Sequence, residues 1–310
     1  MSDKNMHYAN FNITYGEHDD PMLCHFEDMI FPAFTSGFHR GKEGEYPLFY
    51  FDEIQIKEIN GEYVLCGNYI KDMQYKINTT IQDGKLVSTP ANVPSAPYSR
   101  FIIFLKNHRM ILVRNESQSP DIRSFQTTVK RMLSSFVSKE NASRDKNNKL
   151  PIPHVNIIDL PMRQNIEKTL QTVHKIKSLK FRFFPLNNDI PSNFMANAVK
   201  QEMQKVQSKH AGIHFTSPGS KKAVSDLIEE SAGLAEATLE VSDRNGNKTK
   251  IKGNSFSASK KISFGRDIYS SDDEYIVDQA KQDDIITHTS DDNKKLYQQF
   301  LGVIKKLMQK

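Results

Sequence analysis

The sequence contains no tryptophan and only two cysteines, Cys24 and Cys66, in 310 residues. The missing tryptophan excludes nothing. The shortage of cysteine argues against a disulfide-braced secreted fold, which would carry more bridges at this size. It favours two reduced, buried thiols in a cytoplasmic protein. No apolar run exceeds the length of a strand, so no membrane span is expected. Met1–Asn5 has no apolar signal core, which agrees with a cytoplasmic setting. An excess of one charge sign is lacking as well: 42 Lys and Arg stand against 37 Asp and Glu, a formal charge of +5. That balance is compatible with nucleic acid and does not require it. No stretch carries a specific catalytic signature, so the sequence speaks to fold more than to reaction.

What is present is a chain with 37% apolar and 25% charged residues, polar but able to bury one large core or two smaller ones. Its organising stretch runs from Tyr98 to Pro185. Phe101–Leu105 and Met110–Arg114 flank Asn107 and His108 and read as a tight β-hairpin. Ile122, Phe125, Val129, Met132, Leu133 and Phe136 recur at helical spacing just after Pro120-Asp121. His154–Leu160 reads as a strand, Ile166–Ile176 as a second amphipathic helix and Leu179–Phe184 as a closing strand. This order predicts a ferredoxin-like α+β sandwich over residues 98–186, with helices covering one face of the sheet.

Residues 1–97 read as a β-meander that merges into that unit. Phe11–Tyr15 alternates apolar and polar residues, and Asn60-Gly61 and Asp83-Gly84 each join strand-like runs in the manner of hairpin turns. Ser138–Lys149 is polar without period and is expected to be a mobile loop. Residues 187–310 read as a helical and hairpin region. A turn and helix cap are expected over residues 187–192, a capped helix after Ser220, a hairpin around Asn245-Gly246, an acidic segment Asp267–Asp292 and a last helix Lys294–Met308. The alternative is one continuous domain.

Several of these features together resemble a bacterial family of unknown function, domain family 4747. They are Asn12-Ile13-Thr14, Phe49-Tyr50-Phe51-Asp52, the run Tyr98-Ser-Arg-Phe-Ile-Ile-Phe104, Leu179–Phe184 followed by Pro185-Leu186-Asn187, and Leu234–Val241 leading to Asp243–Gly246. All are core and turn patterns. The resemblance implies a bacterial cytoplasmic protein of the kind met among mobile-element and phage-defence genes. It implies no known reaction and supplies no functional residues.

Candidate sites therefore rest on the residues themselves. His18, Asp19, Asp20 and His25 are donors that suit zinc or manganese, although a charged loop and helix cap explain them as well. Asp52, Gln55 and Lys57 echo the carboxylate and lysine set of a metal-dependent nuclease, against the plainer reading of a solvated strand face. The stretch Thr216–Lys222 lacks phosphate-loop spacing and reads as an ordinary capped helix start. The basic segment Arg163–Arg182 carries the main expectation. Lys168 and Lys175 on a helix, with Lys180 and Arg182 two apart on a strand, are expected to form one phosphate-binding surface. The alternative for this segment is a soluble face balanced by Asp267–Asp292, and Lys248, Lys250 and Lys252 form a second basic cluster.

The expectation is a component of an antiviral, phage-defence system that binds DNA or RNA through that surface. The alternatives are a protein–protein interaction or sensor subunit that partners a neighbouring effector, and a metal-dependent nuclease. No catalytic residue, metal or cofactor is assigned. A protein partner encoded nearby is expected, a homo-oligomer is compatible with the sequence, and no membrane association is foreseen.

Overall fold

The structure, a computed structural model, describes residues 2–187, 194–231 and 233–309. The first strand is far longer than the alternation at Phe11–Tyr15 suggests: β1 spans Ser2–Tyr15. Met6, Tyr8, Asn10, Asn12 and Thr14 point to one side of it, and His7, Ala9, Phe11, Ile13 and Tyr15 to the other, by the period of two. After it come β2 (Asp20–Pro21), short helical turns ending in α1 (Phe31–Phe34), β3 (His39–Arg40), β4 (Leu48–Ile59), β5 (Glu62–Gln82), β6 (Lys85–Ser95), β7 (Tyr98–Phe104), β8 (Arg109–Arg114), α2 (Ile122–Ser143) and β9 (Pro153–Asp159). The second half holds α3 (Arg163–Thr172), β10 (Lys175–Phe183), α4 (Phe194–Lys205), β11 (Ala211–Thr216), α5 (Lys221–Glu230), β12 (Ala235–Ser242), β13 (Lys248–Lys252) and β14 (Ser259–Phe264). It ends with α6 (Asp273–Lys281), α7 (Asp284–Thr287) and α8 (Asp291–Met308). The turn and cap expected at 188–192 lie outside the described residues. Among the described residues no helix is long and apolar enough to cross a membrane.

The protein is a mixed α+β fold with a large, curled antiparallel sheet and a small one. The large sheet follows the order β14-β1-β8-β7-β5-β4-β3, with β2, β6 and β9 joined off that path. On one edge β1 pairs with β8; on the other its first half pairs with β14 and its second half with β9. The hairpins at Asn60-Gly61, Asp83-Gly84 and β7–β8 form as expected, the first two with both turn residues at positive φ.

The ferredoxin-like sandwich expected over residues 98–186 does not form. β7, β8 and β9 belong to the large sheet, whereas β10 pairs with β11 and β12 in a separate sheet of order β11-β10-β12-β13. The distant β1 lies between β8 and β9. β10 in turn has apolar Leu179 and Phe181 matched by Phe215 and Ile213 of β11 and by Leu239 and Ala237 of β12. Two boundaries also move. α2 runs on to Ser143, through half of the expected loop, because Glu140 pairs with Arg144 and Asn141 brackets Leu150, accepting from its N–H and donating to its carbonyl. α3 stops at Thr172, so Lys175 and Ile176 are strand residues.

Three cores follow from this arrangement. One face of the large sheet meets α2 and α8 over Phe11, Phe51, Phe101 and Phe125; the rings of Phe101 and Phe125 lie edge to face at 5.1 Å. The other face meets α6 and α7 through Tyr8, Cys66, Ile111, Ile276 and Val277. The third core lies between the small sheet and helices α3, α4 and α5. A polar seam joins the sheets. The fully buried Asn12 side chain donates to Pro185 O at 2.5 Å and accepts from Asn187 N–H at 2.9 Å. Asn187 Oδ1 accepts from Met22 N–H at 2.9 Å, and Asn10 donates to Gly233 O at 3.4 Å.

Helix α6 is fixed by a buried ion pair. Arg100, fully buried on β7, donates from Nε and Nη2 to the two oxygens of Asp273, both at 2.8 Å. Lys57 adds a 2.6 Å contact to the same carboxylate and donates to Ser270 O. Removing one member of such a pair strands the other charge, whereas removing both does not. Asp273→Leu, which leaves the buried Arg100 guanidinium without its bidentate partner, should therefore cost about 3–5 kcal/mol in urea unfolding, and Arg100→Met with Asp273→Leu should recover most of that loss.

Candidate nucleic-acid interface

Alternation on β10 sorts the basic segment. Leu179, Phe181 and Phe183 are buried against the helices, and Lys180 and Arg182 are exposed on the opposite, open face. A register shift between Ile176 and Ser178 makes Lys177 the extra residue of a bulge. Ile176 therefore stays on the helix side, and Lys175, opposite Ser242, falls on the open face. Cross-strand register then builds this face row by row. Lys175, Ser242 and Lys248 align; next come Thr216, Ser178, Glu240 and Lys250; then His214, Lys180, Thr238 and Lys252; and last Gly212, Arg182 and Glu236. Six cations and His214 share one open face with two carboxylates.

Lys168 does not join them. It is exposed on α3, in the layer that covers the other face. Arg163, which opens the same helix, is taken up by Asp226 at 2.8 Å and Glu229 at 2.6 Å on α5. Of the four residues expected to form one surface, the structure brings together Lys175, Lys180 and Arg182 and adds the three lysines of β13. The period of two made the pairing of Lys180 with Arg182 legible; the joining of β10 to β13 through β12 carries no sequence signal.

Glu240 is the counter-charge inside the patch. Lys180 reaches it at 3.6 Å and Lys250 at 3.5 Å, and these ammonium groups hold its carboxyl below the usual range. The acidic segment Asp267–Asp292 does not balance the patch. Its carboxylates serve the large sheet: Asp273 binds Arg100, Asp283 accepts from the Tyr8 hydroxyl at 2.6 Å, and Asp272 pairs with Arg266. Spacing on a sheet is about 4.8 Å between strands and about 6.8 Å between same-face residues along a strand. The open face thus offers cations at intervals close to those of a phosphate backbone. Phe181, Phe183 and Phe215 all point to the helix side, so the open face has no Phe, Tyr or Trp on which a base could stack and offers the His214 imidazole alone.

Where the small sheet meets the start of α2, a cleft of about 350 Å³ opens. His7, Arg114, Asp121, Arg123, Asp159, Glu236 and Lys252 supply its charged lining, and Phe184 and Phe256 part of its apolar wall. Lys252 and Glu236 belong to both the cleft and the basic face. The Arg182 guanidinium lies over the Phe184 ring at 5.1 Å. Burial, with repulsion from Asp121 and Glu236, pushes the Asp159 carboxyl up to about 6, although the Ser257 hydroxyl donates to it at 2.9 Å. Burial and the nearby Arg114 hold His7 below the usual imidazole range. No motif announced this cleft, because its lining comes from segments far apart in sequence.

The other candidates are used structurally. The bulge between Asp52 and Gln55 places Asp52, Gln55 and Lys57 on one face, but the Lys57 ammonium is held by Asp273 and Ser270. Asp19 pairs with Lys209 at 2.8 Å and His25 contacts Asp28 at 3.2 Å, and Pro21, not an aspartate, precedes the first helical turn. Among the described residues no three His, Cys, Asp or Glu side chains are placed to hold a metal ion. Ser220 caps α5 by accepting from Ala223 N–H, and Lys221 donates to Val173 O. Both cysteines are free, but only Cys66 is buried as expected, its thiol pushed up to about 12; Cys24 is exposed.

Residues 4–291 match the model of a family described as a domain of unknown function, DUF4747. No curated protein and no solved structure matches the chain.

The cleft has a consequence for stability. A carboxyl whose folded pKa is raised binds its proton more tightly in the folded state than in the unfolded chain, so stability falls as pH rises between about 4 and about 6. Asp159→Asn keeps an acceptor for Ser257 and removes this loss. The variant should be more stable than the parent at pH 7 by about 1–3 kcal/mol, and the difference should vanish near pH 4, as read from urea unfolding across that range.

Proposed function

The chain belongs to the DUF4747 family, and we propose that it is a nucleic-acid-binding component of a bacterial antiviral system that holds the phosphate backbone across the open face of its small sheet. The observation that carries this reading is the register that gathers Lys175, Lys180, Arg182, Lys248, Lys250 and Lys252 on one exposed face. Phosphates are met by clustered cations whatever the base sequence. With no Phe, Tyr or Trp among the cations of that face, binding is backbone-directed and sequence-tolerant. Glu240 sits between Lys180 and Lys250, and its carboxylate offsets the repulsion between their ammonium groups. The antiviral setting rests on the family resemblance, and the phosphate contact rests on the geometry.

Salt dependence is the direct test. Four to six phosphate contacts should give a slope of log affinity against log salt of about −3 to −5, at roughly −0.7 to −0.9 per contact. The combined change Lys180→Glu, Arg182→Glu, Lys250→Glu and Lys252→Glu should abolish binding of a labelled oligonucleotide without unfolding the protein, since all four heads are exposed. Lys168→Glu, on the other layer, should leave binding unchanged. Binding lost with Lys168 and retained in the quadruple variant would overturn the assignment.

A further inference from the structure

The cleft of about 350 Å³ is built from three directions. Its floor is the face of the large sheet that α2 covers. Asp159 on β9 stands opposite Ala9, and Leu112 on β8 stands opposite His7. By the period of two, His7, Arg114 and Asp159 therefore share that face. Asp121, Arg123 and Gln126 at the start of α2 form one wall. Glu236 of β12 and Lys252 of β13 form the other.

The polar groups of this lining are left for a ligand. Among the described residues the side chains of His7, Arg123, Gln126, Glu236 and Lys252 make no hydrogen bond or ion pair. Asp159 accepts from Ser257 through Oδ1 only, and its Oδ2 takes no hydrogen bond. Burial and the nearby Arg114 keep His7 neutral at pH 7, so its ring offers one donor and one acceptor. The Arg114 guanidinium is fixed in place by donating to Ser117 O and Ser119 O.

Two characters meet in this lining. A cation alone would face Arg114, Arg123 and Lys252, and an anion alone would face Asp121, Asp159 and Glu236. A molecule with an anionic end and an amino-bearing, hydrogen-bonding end satisfies both sets. The position of the cleft selects a nucleotide among such molecules, because Lys252 and Glu236 belong to the basic face as well. Cations continue past it onto α2. Burial, then Arg182, His154 and Lys130, hold the His210 imidazole below its usual range, so Arg182 and Lys130 flank the same ring. The volume falls in the ~300–1,000 Å³ range of small-molecule sites, which suits one nucleotide and not a duplex.

We propose that the cleft takes one unpaired nucleotide with an amino-bearing base, its phosphate between Arg123 and Lys252 and its amino group on Asp159 Oδ2. This rests on the reading of the basic face as a phosphate track, and it makes a single strand the preferred ligand of that track. A base reaches such a cleft only when splayed out of a helix. The face stays sequence-tolerant, and the cleft adds one position that is read. A carboxylate accepts from the exocyclic amino group of cytosine; uracil carries an acceptor at that place and is disfavoured. A free mononucleotide offers the same chemistry as a strand, and the test separates the two.

Calorimetric titration with cytidine and uridine monophosphate is paired with anisotropy of a labelled cytosine-rich strand and its duplex, all on the full chain. Cytidine monophosphate should bind about tenfold tighter than uridine monophosphate, and the single strand should exceed the duplex by about the same factor. Gln126→Trp, which fills the cleft at constant charge, should abolish mononucleotide binding and bring the single strand down to the duplex. Asp159→Asn should cancel the preference for cytidine, and circular dichroism checks that both variants keep the fold. Lys180→Glu with Lys250→Glu, on the face outside the cleft, should weaken both oligonucleotides and leave the mononucleotide unaffected. Oligonucleotides that bind through the face, with strand and duplex equal and no mononucleotide bound, would overturn the cleft and leave the face standing. A mononucleotide that binds where neither oligonucleotide does would keep the cleft, assign it to a free nucleotide and sink the reading of the face. Equal binding of cytidine and uridine monophosphate would reject the role given to Asp159.

Discussion

The arrangement of the two sheets depends on a pair of buried asparagines. Asn12 and Asn187 are both withdrawn from water, and each carries donors and acceptors that only protein can satisfy. Asn12 uses its amide as a strand uses its backbone, giving a hydrogen to Pro185 O and taking one from Asn187 N–H. Asn187 returns the pattern to Met22 N–H. Leaving one of these groups unmet costs about 1–3 kcal/mol, whereas each satisfied bond contributes only about 1 kcal/mol net. The seam therefore acts more strongly as a selector of geometry than as a source of stability. Asn10 adds the contact to Gly233, so the end of β10 and the start of β12 are tied to the same strand. Gly233 has φ +76°, and a Cβ there would lie 2.5 Å from Leu160 Cδ2. A side chain there would strain the backbone and displace the buried Leu160.

This seam also decides what the second sheet shows to solvent. One face is used up by α3, α4 and α5, and the ends of β10 and β12 are used up by β1. The face that remains is the one carrying Lys180 and Arg182, and β13 extends it with three more lysines. The acidic segment is occupied elsewhere, in the buried bridge from Asp273 to Arg100 and in the bond from Tyr8 to Asp283. The acidic segment thus braces the large sheet, and the cations of the small sheet share their face with Glu240 and Glu236.

Local signals were read correctly where the physics is local. Asn60-Gly61 and Asp83-Gly84 supply the positive φ that their turns need, and Asp121 caps α2 by accepting from Ser124 N–H. The exposed face of Lys180 and Arg182 follows from alternation alone. Non-local pairing could not be read in this way. A strand reading of β10 is the same whether it pairs with β9 or with β12, and only the demand of Phe181 and Phe183 for β11 and β12 chooses between them. Lys175 reached the basic face by another route than the helix expected for it, because α3 ends at Thr172 and a bulge resets the alternation. Several of the stretches that carry the family resemblance turn out to meet in space. Asn12 binds the Pro185–Asn187 turn, and the Phe51 ring lies 5.6 Å from that of Phe101. Their pattern in the sequence records contacts, not chemistry, which is why it implies a family and no reaction.

The claim that the asparagine seam couples the two sheets is tested most directly by native-state hydrogen exchange of Asn12→Ala against the parent. In the parent, amides of β10 and β12 should open with a free energy close to that of β7 and β8, because the sheets unfold together. In the variant, protection of β10 and β12 should fall below that of β7 and β8, as the small sheet gains an opening of its own. Unchanged protection of β10 and β12 in Asn12→Ala would contradict the account.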